Sequence, residues 1–207
     1  VNNYEYIIAG LPVLQADQKD SIDAQGLLEE IRSRLSKKDN ALMEFLLDGW
    51  DSEKLCEDFY LKAAASNNDF VRDYFEYDLG LRNAKVSYLN KALGRPEGQD
   101  IMILPRESTK YEEIKDFEDA AKAAEVLGQN DILGRERGLD DLLWAKIDEL
   151  TVMHVFDIDV ILGFVCKLKI VDRWLSLDEA TGREFFRKLV KDLRKGVEGK
   201  FEGEGFN

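Results

Sequence analysis

The chain has 207 residues, 44% hydrophobic and 34% charged, with a net charge of −13 and a pI near 4.7. Such a surface repels phosphate backbones and anionic headgroups, which disfavours nucleic acid and bare membrane and leaves proteins with basic surface as partners. The length suits one large domain or two small lobes around a core that needs no disulfide or metal. Cys56 and Cys166 belong to no C-x-x-C pair and are expected as buried, inert thiols of a reducing compartment.

Val1-Asn2-Asn3-Tyr4 lacks the basic flank and apolar stretch of a signal peptide, and the longest apolar run, residues 160–166, is far short of the ~20 residues a membrane span needs. The expectation is a cytoplasmic protein without direct membrane insertion. Residues 4–9 are apolar enough to be buried, but Pro12 is expected to cut them short of a stable helix. Ala24, Leu27, Leu28, Ile31 and Leu35 recur at helical spacing, and Lys37, Lys38, Asp39 and Asn40 are expected to end that helix. A short helix through Leu42, Phe45 and Leu46 stops near Gly49; Leu55, Cys56, Phe59, Tyr60 and Ala63 make another. Asn67 and Asn68 then cap a long helix running to Leu93. Gly94-Arg95-Pro96-Glu97-Gly98 breaks the pattern, and residues 100–104 are extended or irregular, with room for a short strand.

Helical period resumes with Tyr111, Ile114, Phe117, Ala121 and Ala124. It continues through Leu139, Leu142, Leu143, Ile147 and Leu150, and again from Ile158 to Leu168. Ser176-Leu177-Asp178-Glu179 reads as a capping box opening a last helix with Phe185, Phe186, Leu189, Val190 and Leu193 inward. The fold class is mainly all-α, with at most one short strand pair. The expected division is an N-terminal helical lobe (1–94), an irregular connector (95–110), a C-terminal helical lobe (111–195) and a flexible acidic, glycine-rich tail (196–207).

The search for chemistry returns negatives. G-x-x-x-x-G-K-[ST] and G-x-G-x-x-G are absent, so the sequence shows no phosphate cradle. His154 is the sole histidine, which rules out H-E-x-x-H zinc and paired Glu-x-x-His di-iron patterns; at a helix junction it reads as a capping or packing residue. Asp140-Asp141 begins like a D-D-x-x-D magnesium motif, but position 144 is Trp and too few oxygen ligands remain. Asp157 and Asp159, two apart, are expected to diverge on a helix, with one of them capping it. Asp78 and Arg82, acid before base at four apart, are expected to pair beside the buried stripe and fix geometry there. Trp50, Trp144 and Trp174 each adjoin an apolar stripe and read as core.

Two segments share an aromatic-Asp-aliphatic step: Tyr77-Asp78-Leu79-Gly80-Leu81-Arg82-Asn83 and Phe156-Asp157-Ile158-Asp159-Val160-Ile161-Leu162. Each is expected to open a long helix after a shorter one, as duplicated helical units would. That pattern resembles the C subunit (d in eukaryotes) of V/A-type ATPases. The run from Phe156 through Arg173 and Trp174 is similar to an uncharacterised bacterial family associated with V-type ATPase operons. The segments from Tyr4 to Pro12 and from Leu177 to Phe186 also resemble that family. The chain is shorter than a C subunit of three helical lobes, so the resemblance implies that one lobe is reduced or absent.

The resemblance implies a non-catalytic part that needs no cofactor or metal, sits on the cytoplasmic side peripheral to the inner membrane, and couples the central rotor shaft to the membrane rotor ring. No residue is expected to be catalytic, cofactor-binding or metal-binding. Structural or interface candidates are Asp78, Arg82, Asn83, Phe156, Asp157, Asp159, Arg173 and Trp174. Two alternatives stand beside it: a helical adaptor or regulatory module unrelated to the ATPase, and a metal-dependent all-α enzyme using acidic helix faces.

Overall fold

A computed structural model of the chain describes residues 3–105 and 117–177. Among them are eight helices: α1 (Glu5–Gly10), α2 (Ala24–Arg34), α3 (Lys37–Asp48), α4 (Glu57–Ala64), α5 (Asp69–Ala92), α6 (Ala120–Leu127), α7 (Ile132–Thr151) and α8 (Ile158–Ser176). The expected all-α class holds among the described residues. One buried cluster draws side chains from all eight helices, so the chain on either side of the connector shares a core.

Caps set the starts of the long helices. The Asn68 side chain accepts from the Val71 amide, Asp131 from Leu133 and Gly134, and Asp157 from Asp159, each satisfying a donor that the first turn leaves orphaned. At 24 residues α5 is ~36 Å long and α7, at 20, is ~30 Å. The two run antiparallel, because Lys85 pairs with Glu136 and the Arg135 guanidinium lies over the Tyr88 ring. Asn68 at the start of α5 meets Asp159 at the start of α8, so these two helices begin at the same end. Thr151, the last residue of α7, sits against Gly163 of α8, where a Cβ would lie 2.6 Å from the Thr151 methyl carbon; only hydrogen leaves that space.

Aromatic packing joins the first half to this frame. Phe45 of α3 stacks on Phe59 of α4 at 4.7 Å, and Phe75 of α5 meets Phe59 edge-on at 4.9 Å. Offset and edge-to-face contacts of this kind orient helices more sharply than aliphatic burial alone.

Several expectations need correction. Residues 37–40 begin α3 instead of ending α2: Ser36 accepts from the Asp39 amide, so the polar run after Leu35 is a first helical turn. Residues 5–10 do form a short helix, since Pro12 lies beyond its last residue and costs it nothing. Asp100 still belongs to the preceding turn, with left-handed backbone (φ 60°), and residues 101–104 are irregular and pair with no strand. The Asn83 side chain takes both main-chain groups of Met102, donating to its carbonyl at 2.8 Å and accepting from its amide at 3.1 Å, which replaces a strand partner. The turn before them uses left-handed backbone at Gly94 (φ 62°) and Gly98 (φ 84°), which glycine adopts without strain. Ser176 is the last residue of α8, and its hydroxyl donates back to the Asp172 carbonyl. The helix expected after it, the tail, and the stripe from Tyr111 to Ile114 lie outside the described residues. Cys166 is buried as expected, but Cys56 is exposed at the start of α4.

Candidate functional site

The eight candidate residues fall in three places. In the first, Asp78 on α5 is buried and accepts from the Tyr60 hydroxyl and from Arg82 Nε, both at 2.7 Å. The intrahelical pair is therefore as expected, with Tyr60 as a further partner; Arg82 remains half exposed. Burial opposes the charge on Arg82, but Asp78 outweighs it and holds the guanidinium above its ordinary value. Burial pushes the Tyr60 phenol far up as well, so it stays a neutral donor. Asn83, one residue further, faces elsewhere and holds Met102. The segment from Tyr77 to Asn83 opens no helix: it lies inside α5, whose start Asn68 had already set nine residues earlier.

The second place is the far end of α8. Asp140 of α7 is buried and accepts from Arg173 and, at 2.6 Å, from Trp174 Nε1. Arg137 lies over the Trp174 ring and Arg173 over Trp50. Asp141 instead pairs with Arg137, so the two adjacent aspartates serve separate side chains and do not converge as a magnesium motif would.

The third place is the junction of α5, α7 and α8. Asp157, with extended backbone (φ −99°, ψ −179°), precedes α8 and accepts from the Asp159 amide at 3.1 Å. Its other oxygen is 2.7 Å from His154 Nδ1; a carboxylate only accepts, so Nδ1 carries the proton. Asp159 Oδ2 lies 3.6 Å from the same nitrogen, and its Oδ1 accepts from Asn68 Nδ2 at 2.6 Å. The two aspartates were expected to diverge. They converge on His154 because Asp157 lies outside the helix, where the 100° step between neighbours does not apply. The hydrogen bond to Asp157 raises the imidazole above its ordinary value, and burial raises the Asp159 carboxyl.

Among the described residues this is the one group of His, Cys, Asp and Glu close enough together to hold a cation, its candidate ligand atoms within 4.8 Å of one another. Their hydrogen bonds already account for the arrangement as a junction that ties three helix ends.

Around that junction the polarity is inverted. In the 152–156 connection the polar side chain, His154 (34% exposed), leans onto the carboxylates, while Val152 (72% exposed), Met153 (86%), Val155 (62%) and Phe156 (43%) face solvent. The connection is nonetheless pinned: Tyr4 N donates to the Phe156 carbonyl at 2.7 Å, and His154 N to Thr151 at 2.9 Å. Sequence reasoning missed both Asn68 as a partner of Asp159 and this apolar knuckle. The signal for the knuckle was present, since Val-Met-His-Val-Phe between two long helices is unusually apolar for a connection.

The family model described as protein of unknown function (DUF2764) matches residues 49–197, and the chain belongs to that family. The match takes in α4 to α8, and so the knuckle and all eight candidate residues. No curated protein and no solved structure matches the chain.

Proposed function

We propose that this DUF2764 protein is a non-catalytic subunit of a V/A-type ATPase or ATP synthase, coupling the central rotor shaft to the membrane rotor ring in the manner of a C (d) subunit. The observation that carries the reading is a stiff helical body with apolar residues facing solvent at both ends. At one end stands the knuckle; at the other, Leu89 and Leu93 near the end of α5 stand with Ile132 and Leu133 at the start of α7. The span of α5 separates them by ~36 Å. A coupling part needs stiffness and two interfaces more than a reactive site, and the stiffness comes from buried ties that join α4 to α5 (Tyr60 to Asp78), α7 to α8 (Trp174 to Asp140) and the starts of α5 and α8 (Asn68 to Asp159).

Among the described residues no helix is long and apolar enough to cross a membrane, which suits attachment through protein contacts. The subunit then lies on the cytoplasmic side, peripheral to the inner membrane through the complex, and works without a cofactor. The charge of −13 suits partners with basic helical surface.

Co-expression with the shaft and ring subunits tests the proposal. A complex that survives gel filtration is the expected result, and a chain that elutes alone in both co-expressions contradicts it. In that event, a gene lying away from any ATPase operon would favour the helical adaptor instead.

A further inference from the structure

We infer that the knuckle at residues 152–156 is a docking surface for an amphipathic helix of a protein partner, one with an apolar face flanked by lysine or arginine. The inference rests on the coupling reading for the partner's identity and on the geometry for its chemistry.

Three observations carry it. First, four apolar side chains face water while the polar one between them, His154, is only a third exposed and held against Asp157, so the connection offers solvent mainly apolar surface. Second, the knuckle is preorganised. Main-chain bonds from Tyr4 and His154, the Asp157 cap, and the His154–Asp157 and Asn68–Asp159 bonds fix it from several sides. Docking therefore spends little on ordering the loop. Third, its surroundings are acidic. Asp69, Asp148, Glu149, Asp157 and Asp159 stand at the three helix ends beside it, against Arg72, Lys146, Lys167 and the His154 imidazole, each paired with one of these carboxylates, so the carboxylates outnumber the basic side chains by one.

The chemistry selects the occupant. An apolar knuckle alone would also suit a bilayer interface, but the carboxylates around it repel anionic headgroups. A basic amphipathic helix satisfies both the apolar centre and the acidic rim, as hot-spot anchors within a polar ring do at protein interfaces.

The test is the full-length chain against the purified shaft subunit and the detergent-solubilised rotor ring, by biolayer interferometry at low and high salt. The double variant Val152→Glu/Met153→Glu changes two exposed residues, so its melting curve should match that of the wild type. With two anchors lost, its affinity for one of the two partners should fall at least ~100-fold. Val13→Glu, which alters an equally exposed residue in the α1–α2 connection, should leave that affinity unchanged. Wild-type binding should weaken as salt rises. If wild type and double variant bind equally, the docking surface lies elsewhere and this inference fails while the coupling reading stands. If the wild type binds neither partner, the coupling reading fails and takes the assigned occupant with it. Sedimentation of the wild type, but not the double variant, with anionic vesicles would make the knuckle a membrane seat and overturn the inference.

Discussion

Asn68→Asp changes one atom at the junction and isolates what the asparagine contributes. Its Oδ1 caps α5 by accepting from Val71 at 2.8 Å, and its Nδ2 donates to Asp159 at 2.6 Å. Aspartate is as good a cap as asparagine, so the first role survives. The second is lost, and a carboxylate oxygen replaces the donor beside an Asp159 side chain only 12% exposed. Loss of a hydrogen bond to a charged group costs ~1.5–3 kcal/mol, and repulsion between the carboxylates adds to that at neutral pH. For a chain of this size the melting temperature should fall by roughly 4–10 °C at about 2–4 °C per kcal/mol.

The loss should also depend on pH. Two facing carboxylates share a proton as pH falls, which raises the folded-state titration of the pair. Their destabilisation is then full at neutral pH and shrinks through the acid range. Thermal melts of wild type, Asn68→Asp and Asn68→Ser at about pH 5 and pH 7.5 separate the terms. Serine keeps a capping oxygen without the added charge and should lose less, with little dependence on pH. An Asn68→Asp variant as stable as wild type at pH 7.5, or equally destabilised at both pH values, would refute the assigned geometry.

Three further outcomes are expected. Arg82→Ala should lower stability by ~1 kcal/mol, because the half-exposed guanidinium is screened while Asp78 keeps the Tyr60 hydroxyl; an unchanged melting temperature would make the ion pair a surface feature. Asp140→Ala strands the Trp174 indole N–H and should cost ~1–3 kcal/mol, with Asp140→Asn recovering part of it; equal losses in chemical denaturation would argue against the bond. His154 titrates higher in the folded than in the unfolded chain, so its contribution is complete below its ordinary 6.5 and is lost as pH rises through the raised value. Asp159, raised by burial, acts in the same direction from a lower pH. Wild-type melting temperature should therefore fall as pH rises above 6.5, and His154→Gln should flatten that slope; parallel profiles would show that the imidazole does not report on the fold.

The helices were legible in the sequence wherever an apolar stripe and a cap agreed, as at Asn68 and at the i,i+4 pair of Asp78 and Arg82. They were misread where polar residues served a role other than breaking. Lys37 to Asn40 looked like a terminator because charge usually marks loops, yet Ser36 supplies the cap that makes them a first turn. Tyr77 to Asn83 matched Phe156 to Leu162 by residue type, but only the second sits at a helix start. Type similarity carries no register. The junction was illegible because Asn68 and Asp159 are 91 residues apart and meet only through packing. The knuckle's inversion depends on which way His154 turns, which its neighbours in space decide.

Coupling itself is the most direct test of the account. The ATPase reconstituted in liposomes, with and without this chain, can be assayed for ATP hydrolysis and ATP-driven ion uptake together. If the chain joins shaft to ring, the complex lacking it should hydrolyse ATP while moving few ions, and adding the chain back should restore uptake. Full ion transport in its absence would contradict the coupling role.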